Sequence, residues 1–394
     1  MKTFITTFFA LFISLSFAQN TDTKTTNFST VDKISQSQSS KLKFGGYGQL
    51  DYNQPLIKDS KANGTLDIHR VVLFMGYSFS PNWELVTEIE LEHVKEVYVE
   101  QAYITYKMNR YFNLKGGLML IPMGYVNEYH EPPVYFGVER PLLDSKIVPT
   151  TWREMGFGAY GRIPEASLKY QVYLVNGFLG YNGSAKLDAD DAYRGGRQKG
   201  AKSVITYPNL SAKINFNGIK HLKLGLSGYF GKTQSSLFAN LASTNQALRL
   251  QADSSVVAIS MLGIDGQYQY RGLHLRGQAI YAYNKNADAY NAFGNSDLGK
   301  EIFGYYAEVA YNVFSSFDKP TRLLPFIRYE NFDTQYSLID GAIKDLESHR
   351  KVITVGLNYY PTSGLVLKAD MQWLNNDLLT TADKSVNVGI GFMF

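Results

Sequence analysis

The chain has 394 residues, 39 Lys plus Arg against 35 Asp plus Glu, and a formal net charge of +4, too small an excess to argue for a nucleic-acid partner. It has no cysteine, which excludes a disulfide framework and a thiolate metal site. Past the N-terminus no stretch approaches about eighteen apolar residues, which excludes a helical membrane protein.

At the N-terminus, Met1-Lys2, an apolar stretch from Phe4 to Phe17 and the small residues around Ala18 read as a secretory signal over residues 1–18, cut before Gln19. The alternative is a buried apolar helix. Position 19 is not cysteine, so no lipid anchor is expected there. Residues 19–40, rich in Ser, Thr, Asn, Gln and Lys, form a flexible periplasmic lead-in that cannot bury a core. From residue 41 to 394 one pattern holds.

That pattern is alternation of apolar and polar residues, the mark of a strand with one apolar face. It predicts strands over 42–53, 66–79, 83–92, 97–108, 111–120, 153–163, 167–176, 203–216, 220–232, 255–269, 273–283, 301–314, 322–333, 350–360, 365–374 and 385–394. Short turns such as Ser80-Pro81-Asn82 and Asn217-Gly218-Ile219 carry residues that fix or tolerate turn geometry. They take turns with mostly long connections: 54–65, 121–152, 177–202, 233–254, 284–300, 334–349 and 375–384. The connection around His93-Val94-Lys95-Glu96 is the short exception. Short turns at one end and long loops at the other describe a bacterial transmembrane barrel. The last strand, ending Ile390-Gly391-Phe392-Met393-Phe394, looks like the terminal signal of outer-membrane barrels. With 29 Tyr and 24 Phe, the chain also has the aromatics that suit membrane interfaces. The fold class is therefore all-β: a transmembrane antiparallel β-barrel of about 16 strands. A soluble sandwich or propeller is the alternative, and it needs neither an apolar face on every strand nor a terminal Phe.

The clearest strands assign the faces. Trp83, Leu85, Ile89 and Leu91 alternate with Glu84, Glu88, Glu90 and Glu92; Leu365, Leu367, Ala369, Met371 and Trp373 alternate with Lys368, Asp370 and Gln372. A charge facing lipid at mid-depth costs about 2–4 kcal/mol for Arg or Lys, so the charged row faces a wet interior. Arg70, Arg328 and Glu330 are placed inside. At about sixteen strands the barrel is too wide for its own side chains to fill, and a water-filled channel remains.

Residues 121–152 carry five prolines and many apolar and aromatic side chains, among them Tyr125, Tyr135, Phe136 and Trp152. A freely solvated loop has no use for these, so this third loop is expected to fold inward and narrow the pore. The alternative is an external lid.

Phe44-Gly45-Gly46-Tyr47-Gly48-Gln49-Leu50-Asp51-Tyr52, Leu118-Met119-Leu120-Ile121-Pro122-Met123-Gly124, Glu139-Arg140-Pro141-Leu142-Leu143 and Thr151-Trp152-Arg153-Glu154-Met155-Gly156-Phe157-Gly158 resemble, in order and spacing, the phosphate-selective porins O and P. The likeness runs from about Lys41 through most of the chain. It implies a sixteen-stranded porin, usually trimeric, with an inward third loop and substrate choice set by basic lumen residues. One departure is plain: where the family commonly has a lysine just before the proline entering the third loop, Leu120 and Ile121 stand here.

Anion channels need a ring or ladder of uncompensated Lys or Arg. The inward row carries cations and carboxylates in nearly equal number. Arg140, Lys146, Arg153 and Arg162 are the candidate constriction cluster, with Lys115 and Arg70 from the wall. Pairing with Glu139, Asp144 or Glu154 to hold the loop is the competing role for these cations.

Other motifs lead nowhere chemical. Gly156-Phe157-Gly158-Ala159-Tyr160-Gly161 matches a dinucleotide fingerprint but lies inside a strand, not between strand and helix. Gly231-Lys232-Thr233 lacks the earlier glycine of a phosphate loop. The six histidines show no paired metal spacing; His93 beside Glu92 could hold a cation at a pore mouth or stand as a solvated loop residue. Ser348 next to His349 is the only obvious hint of a hydrolase site. The reading is an outer-membrane porin of a Gram-negative bacterium for small hydrophilic solutes, with anions such as phosphate as candidates. It is expected to contact outer-membrane lipids, to form a homotrimer, and to have no cofactor, metal or catalytic residue. A barrel hydrolase, or an adhesin or structural barrel with a plugged lumen, is the alternative.

Overall fold

A computed structural model describes residues 40–57, 61–239, 241–242, 244–317 and 320–394. The expected signal over 1–18 and, apart from Ser40, the lead-in 19–40 lie outside the described residues. Eighteen strands are numbered in chain order: β1 (Leu42–Leu56), β2 (Thr65–Ser78), β3 (Trp83–Glu92), β4 (Glu96–Lys107), β5 (Asn113–Leu120), β6 (Arg153–Ile163), β7 (Leu168–Val175), β8 (Leu179–Tyr181), β9 (Asn209–Phe216), β10 (Leu222–Lys232), β11 (Gln234–Ser235), β12 (Ala258–Tyr270), β13 (Leu273–Lys285), β14 (Glu301–Tyr311), β15 (Arg322–Ser337), β16 (His349–Thr362), β17 (Leu365–Asn376) and β18 (Asp383–Met393).

Sixteen of these close into an antiparallel barrel in which each strand pairs with its neighbours in sequence. The remaining two, β8 and β11, form a small parallel sheet between long connections. Closure joins β1 to β18, with Tyr47 opposite Met393 and Leu56 opposite Lys384. Gly46 and Phe394 finish the seam by exchanging both backbone hydrogen bonds, at 3.0 and 2.9 Å. A closed sheet leaves no edge, the condition for backbone in lipid.

The faces follow the alternation. In β3, Glu84, Glu88 and Glu90 are buried, whereas Trp83, Ile89 and Leu91 are exposed on the outer face. In β18, Val386, Val388 and Ile390 point out and Asn387 is buried. Arg70, Arg328 and Glu330 are buried in the inward row.

Three differences from the expected elements have local causes. Strand β9 begins at Asn209, not 203, because side-chain amides take the backbone groups a longer strand would use. Gln198 accepts from Val204 N–H at 2.7 Å and donates to Val204 O at 3.0 Å, and Gln234 Oε1 accepts from the N–H groups of Thr206 and Tyr207. Long connections contain helices α1 (Leu143–Lys146), α2 (Gln246–Ser254) and α3 (Ala287–Gly294). The second is started by Asn245, whose side chain accepts from Leu248 N–H at 3.1 Å. Third, the inward row is not polar throughout. Phe74, Val86, Tyr103, Met261, Ile280 and Phe332 join Ile121, Met123, Leu143 and Trp152 in one buried apolar cluster. Alternation reports which side a residue faces, and an apolar side chain faces inward where another part of the chain covers it.

One irregularity positions a functional group. The β1–β2 ladder pairs Gln49 with Arg70 and then Asp51 with Asp67, so β2 carries an extra residue there. A bulge of this kind re-aims side chains. Gly158 answers the fingerprint question: a Cβ there would lie 2.0 Å from Val172 O, so the glycine serves strand packing.

Candidate functional site

Strands β1, β2, β3, β6 and β17, with the β3–β4 turn and the connections 121–152 and 177–208, enclose a cavity of about 280 Å³. It lies at the end of the barrel with the long connections: Glu92 is the last residue of β3 and Arg153 the first of β6. Six cationic side chains line it, Arg70, Arg140, Arg153, Arg194, Arg197 and Lys199, against two carboxylates, Glu92 and Glu139.

The way these cations are held matters more than their number. Arg70 is the exception that pairs with acids, Glu90 at 3.2 Å and Glu92 at 3.9 Å. Arg153 is buried and donates to Thr151 Oγ1 at 2.9 Å. Arg194 donates to Thr150 O at 3.1 Å, Arg197 to the same oxygen at 2.9 Å and to Pro149 O at 3.3 Å, and Arg140 to His130 O at 3.3 Å. The Lys199 ammonium stands 4.7 Å over the Tyr98 ring. A carbonyl or a ring fixes a cation in place without neutralising it. Crowding shows in the connection: burial, then Arg194 and Arg153, push the Arg197 guanidinium down to about 9, and burial, then Arg197, lower Lys199.

Other wall cations are committed elsewhere. Lys213 pairs with Glu128 at 2.7 Å and Asp265 at 3.0 Å and donates to Gly124 O at 2.5 Å. Arg276 pairs with Glu308 at 3.7 Å and donates to Val134 O at 2.7 Å, Arg328 pairs with Glu330 at 3.0 Å and donates to Phe136 O at 3.2 Å, and Lys368 donates to Tyr135 O at 3.0 Å. Four cations from β9, β13, β15 and β17 thus hold the backbone of 121–152.

Of the residues singled out in the sequence, the cavity gathers Arg70, Arg140 and Arg153. Lys146 instead pairs with Asp191 and, at 3.5 Å, with Asp190, joining 121–152 to the next long connection. Lys115 stands 4.3 Å over the Tyr103 ring. Arg162 lies nine residues along β6 from Arg153, about 30 Å at strand rise. Arg153 does not pair with Glu154, which accepts from Trp152 Nε1 and Gly177 N–H at 2.8 Å. Asp144 accepts from Gln278. Sequence reasoning passed over Arg194, Arg197 and Lys199. Their signal was the run Tyr193-Arg194-Gly195-Gly196-Arg197-Gln198-Lys199-Gly200, in which glycines bring spaced basic groups onto one short loop.

The family model for the phosphate-selective porins O and P matches residues 42–394. The chain belongs to this family. An uncharacterised protein of Aquifex aeolicus (strain VF5) is 32% identical over 372 residues, covering 90% of this porin and 80% of that protein. Among solved structures, the outer membrane channel DcaP of Acinetobacter baumannii superimposes with a TM-score of 0.55 at 12% identity, covering 90% of this porin and 97% of that chain. The anion-selective porin from Comamonas acidovorans gives 0.54 at 11% identity, covering 90% and 99%. OmpT of Vibrio cholerae in its trimer form gives 0.51 at 12%, covering 90% and 99%. At these identities the structural likeness concerns the fold. Family and fold together make the protein a porin of the Gram-negative outer membrane.

Proposed function

We propose that this porin passes small anions of phosphate size by passive diffusion. In this reading residues 121–152 lie across the lumen as the constriction, and the basic cavity is the selectivity site. The observation that carries it is the set of five cations, Arg140, Arg153, Arg194, Arg197 and Lys199, held by carbonyls, a hydroxyl and a ring. Uncompensated positive charge attracts anions and repels cations at the same point of the path. The inward position of 121–152 is supported by its hydrogen bonds to wall cations on four strands spread around the barrel. In this reading Lys115 and Arg162 stand off the selectivity site, and Lys146 joins the two connections that frame it.

No covalent step belongs to this activity. Ser348 Oγ donates to Asp333 at 3.2 Å, while His349 contacts Asn331 at 3.0 Å and Asp377 at 3.3 Å. The Ser348 hydroxyl is thus engaged away from the neighbouring ring. Residues 1–18 serve as the export signal and 19–40 as a periplasmic lead-in. The apolar outer rows face lipid and, over part of the circumference, two further copies in a homotrimer. Reversal potential of the purified porin across a KCl gradient in a planar bilayer tests the reading. A potential set by chloride supports it; one set by potassium overturns it.

A further inference from the structure

Beside the basic cavity stands a group of opposite character. Asp51 and Asp67 are direct partners in the β1–β2 ladder. Like charges directly opposite each other destabilise a sheet. Among the described residues neither carboxylate has a lysine or arginine within ion-pair distance, although six cations line the adjoining cavity. Each has a histidine instead: His69 Nδ1 lies 3.4 Å from Asp51 Oδ2, and His93 Nδ1 contacts Asp67 Oδ2. The two imidazoles meet edge to face, 5.4 Å between centroids. One donor atom from each of Asp51, Asp67 and His69 lies within 4.8 Å of the others.

We infer that Asp51, Asp67 and His69 form a binding site for a divalent transition metal of the zinc type at the outer mouth. The bulge in β2 makes the site: it brings Asp67 and His69 to the same side as Asp51, which regular alternation would not do. Mixed imidazole and carboxylate donors suit zinc, nickel or copper and not calcium or magnesium, which take oxygen alone. Zinc bonds to such donors at about 2.0–2.2 Å in tetrahedral geometry, so donors on one ion stand about 3.3–3.6 Å apart, the spacing His69 Nδ1 and Asp51 Oδ2 already have at 3.4 Å. Closing the set, all within 4.8 Å, onto one ion therefore asks for a movement of at most about an ångström, chiefly of Asp67. His93, on the tight β3–β4 turn, holds the Asp67 carboxylate in place, the outer-shell partner that metal sites commonly have.

The neutral His69 ring accepts from the Arg70 guanidinium at Nε2, 3.2 Å away, and so carries its proton on Nδ1; a metal at Nδ1 requires that proton to move to Nε2, with no net release, and Arg70 then turns wholly to Glu90 and Glu92. Three protein ligands leave a fourth position open. His69 and His93 both line the basic cavity, so that position faces the same space. A bound ion cancels the repulsion between the carboxylates and adds positive charge to the cavity wall.

The test is titration of the EDTA-stripped, refolded barrel with ZnCl2 by calorimetry. One saturable site per chain is expected, weakened more than about tenfold by Asp67→Asn or His69→Gln and by about 10–100-fold by His93→Ala. Excess CaCl2 should not compete. Heat-modifiable gel mobility reports whether each variant is still a closed barrel. If Asp67→Asn does not assemble, His69→Gln, at a half-buried position in the bulge, decides the question. Absence of a one-to-one site in the parent barrel, or affinity kept within about twofold in a folded His69→Gln barrel, overturns the inference. Calorimetry needs no current, so failure here leaves the anion reading standing, and the reverse.

Discussion

Replacing Arg194 and Arg197 together by glutamine removes two charges from the cavity while leaving an amide donor at each position. Both guanidiniums hang on Thr150 O, at 3.1 and 2.9 Å, so their places are set by the connection itself. A unit charge 4 Å from a passing ion is worth about 1 kcal/mol in water and about 4 kcal/mol at an effective dielectric of 20. The path is wet and salt screens over about 10 Å at 0.1 M, so the lower figure applies and falls further with distance. Two charges then change the anion-to-cation permeability ratio by about tenfold at 0.1 M KCl. At 1 M the Debye length shrinks to about 3 Å and the difference should fall below about twofold. The assay is reversal potential in planar bilayers, with single-channel conductance as the control for an open pore. An unchanged ratio at 0.1 M in a conducting double variant would refute the reasoning. So would an equal shift at both salt concentrations, because no electrostatic cause survives that screening.

Lys213→Met leaves Glu128 and Asp265 buried without their cation, and breaking such a pair costs about 3–5 kcal/mol. A lowered midpoint of heat-induced unfolding, read by gel mobility, is the expected result, together with a noisier and larger conductance as 121–152 loses an anchor. Burial raises Asp144 to about 8, far above the usual carboxylate range that holds when the chain is unfolded. The folded chain therefore keeps a proton that the unfolded chain releases, so this group's contribution is fully present below about pH 4 and is lost as pH rises through about 8. Asp144→Asn should flatten that decline in thermal stability; a parallel pH profile in the variant would contradict it. Deleting Phe394 removes two backbone hydrogen bonds at the seam with Gly46, worth about 1 kcal/mol each. Refolding yield into lipid vesicles should drop, and a yield equal to the parent's would show the seam closes without them.

Much of the barrel was legible because lipid imposes its own grammar. The rows Glu84, Glu88, Glu90 and Trp83, Ile89, Leu91 cannot be read any other way once one face meets hydrocarbon. Strand ends were less legible. Val204 and Tyr207 look extended in sequence, but their backbone groups are claimed by Gln198 and Gln234, and no local pattern announces such a partner. The basic cavity was half visible. Arg70, Arg140 and Arg153 stood out by their place on the third loop and wall. Arg194, Arg197 and Lys199 did not, because only the tertiary path of the connection after β7 brings them beside the others. Arg328 and Lys368 were placed inside, but nothing in the alternation announced that they, with Lys213 and Arg276, donate to carbonyls of 121–152, or that three of the four also pair with carboxylates. Inward facing was readable from period two; what an inward charge is used for was not.

Strands β7 and β9 are neighbours in the wall, joined by one segment that bears Arg194, Arg197 and Lys199. Half of the cavity's basic groups thus ride on a single exchangeable piece, hinged at adjacent staves. A chimera carrying this piece from a relative would inherit the donor's ionic preference while every stave of the cask stayed as it was.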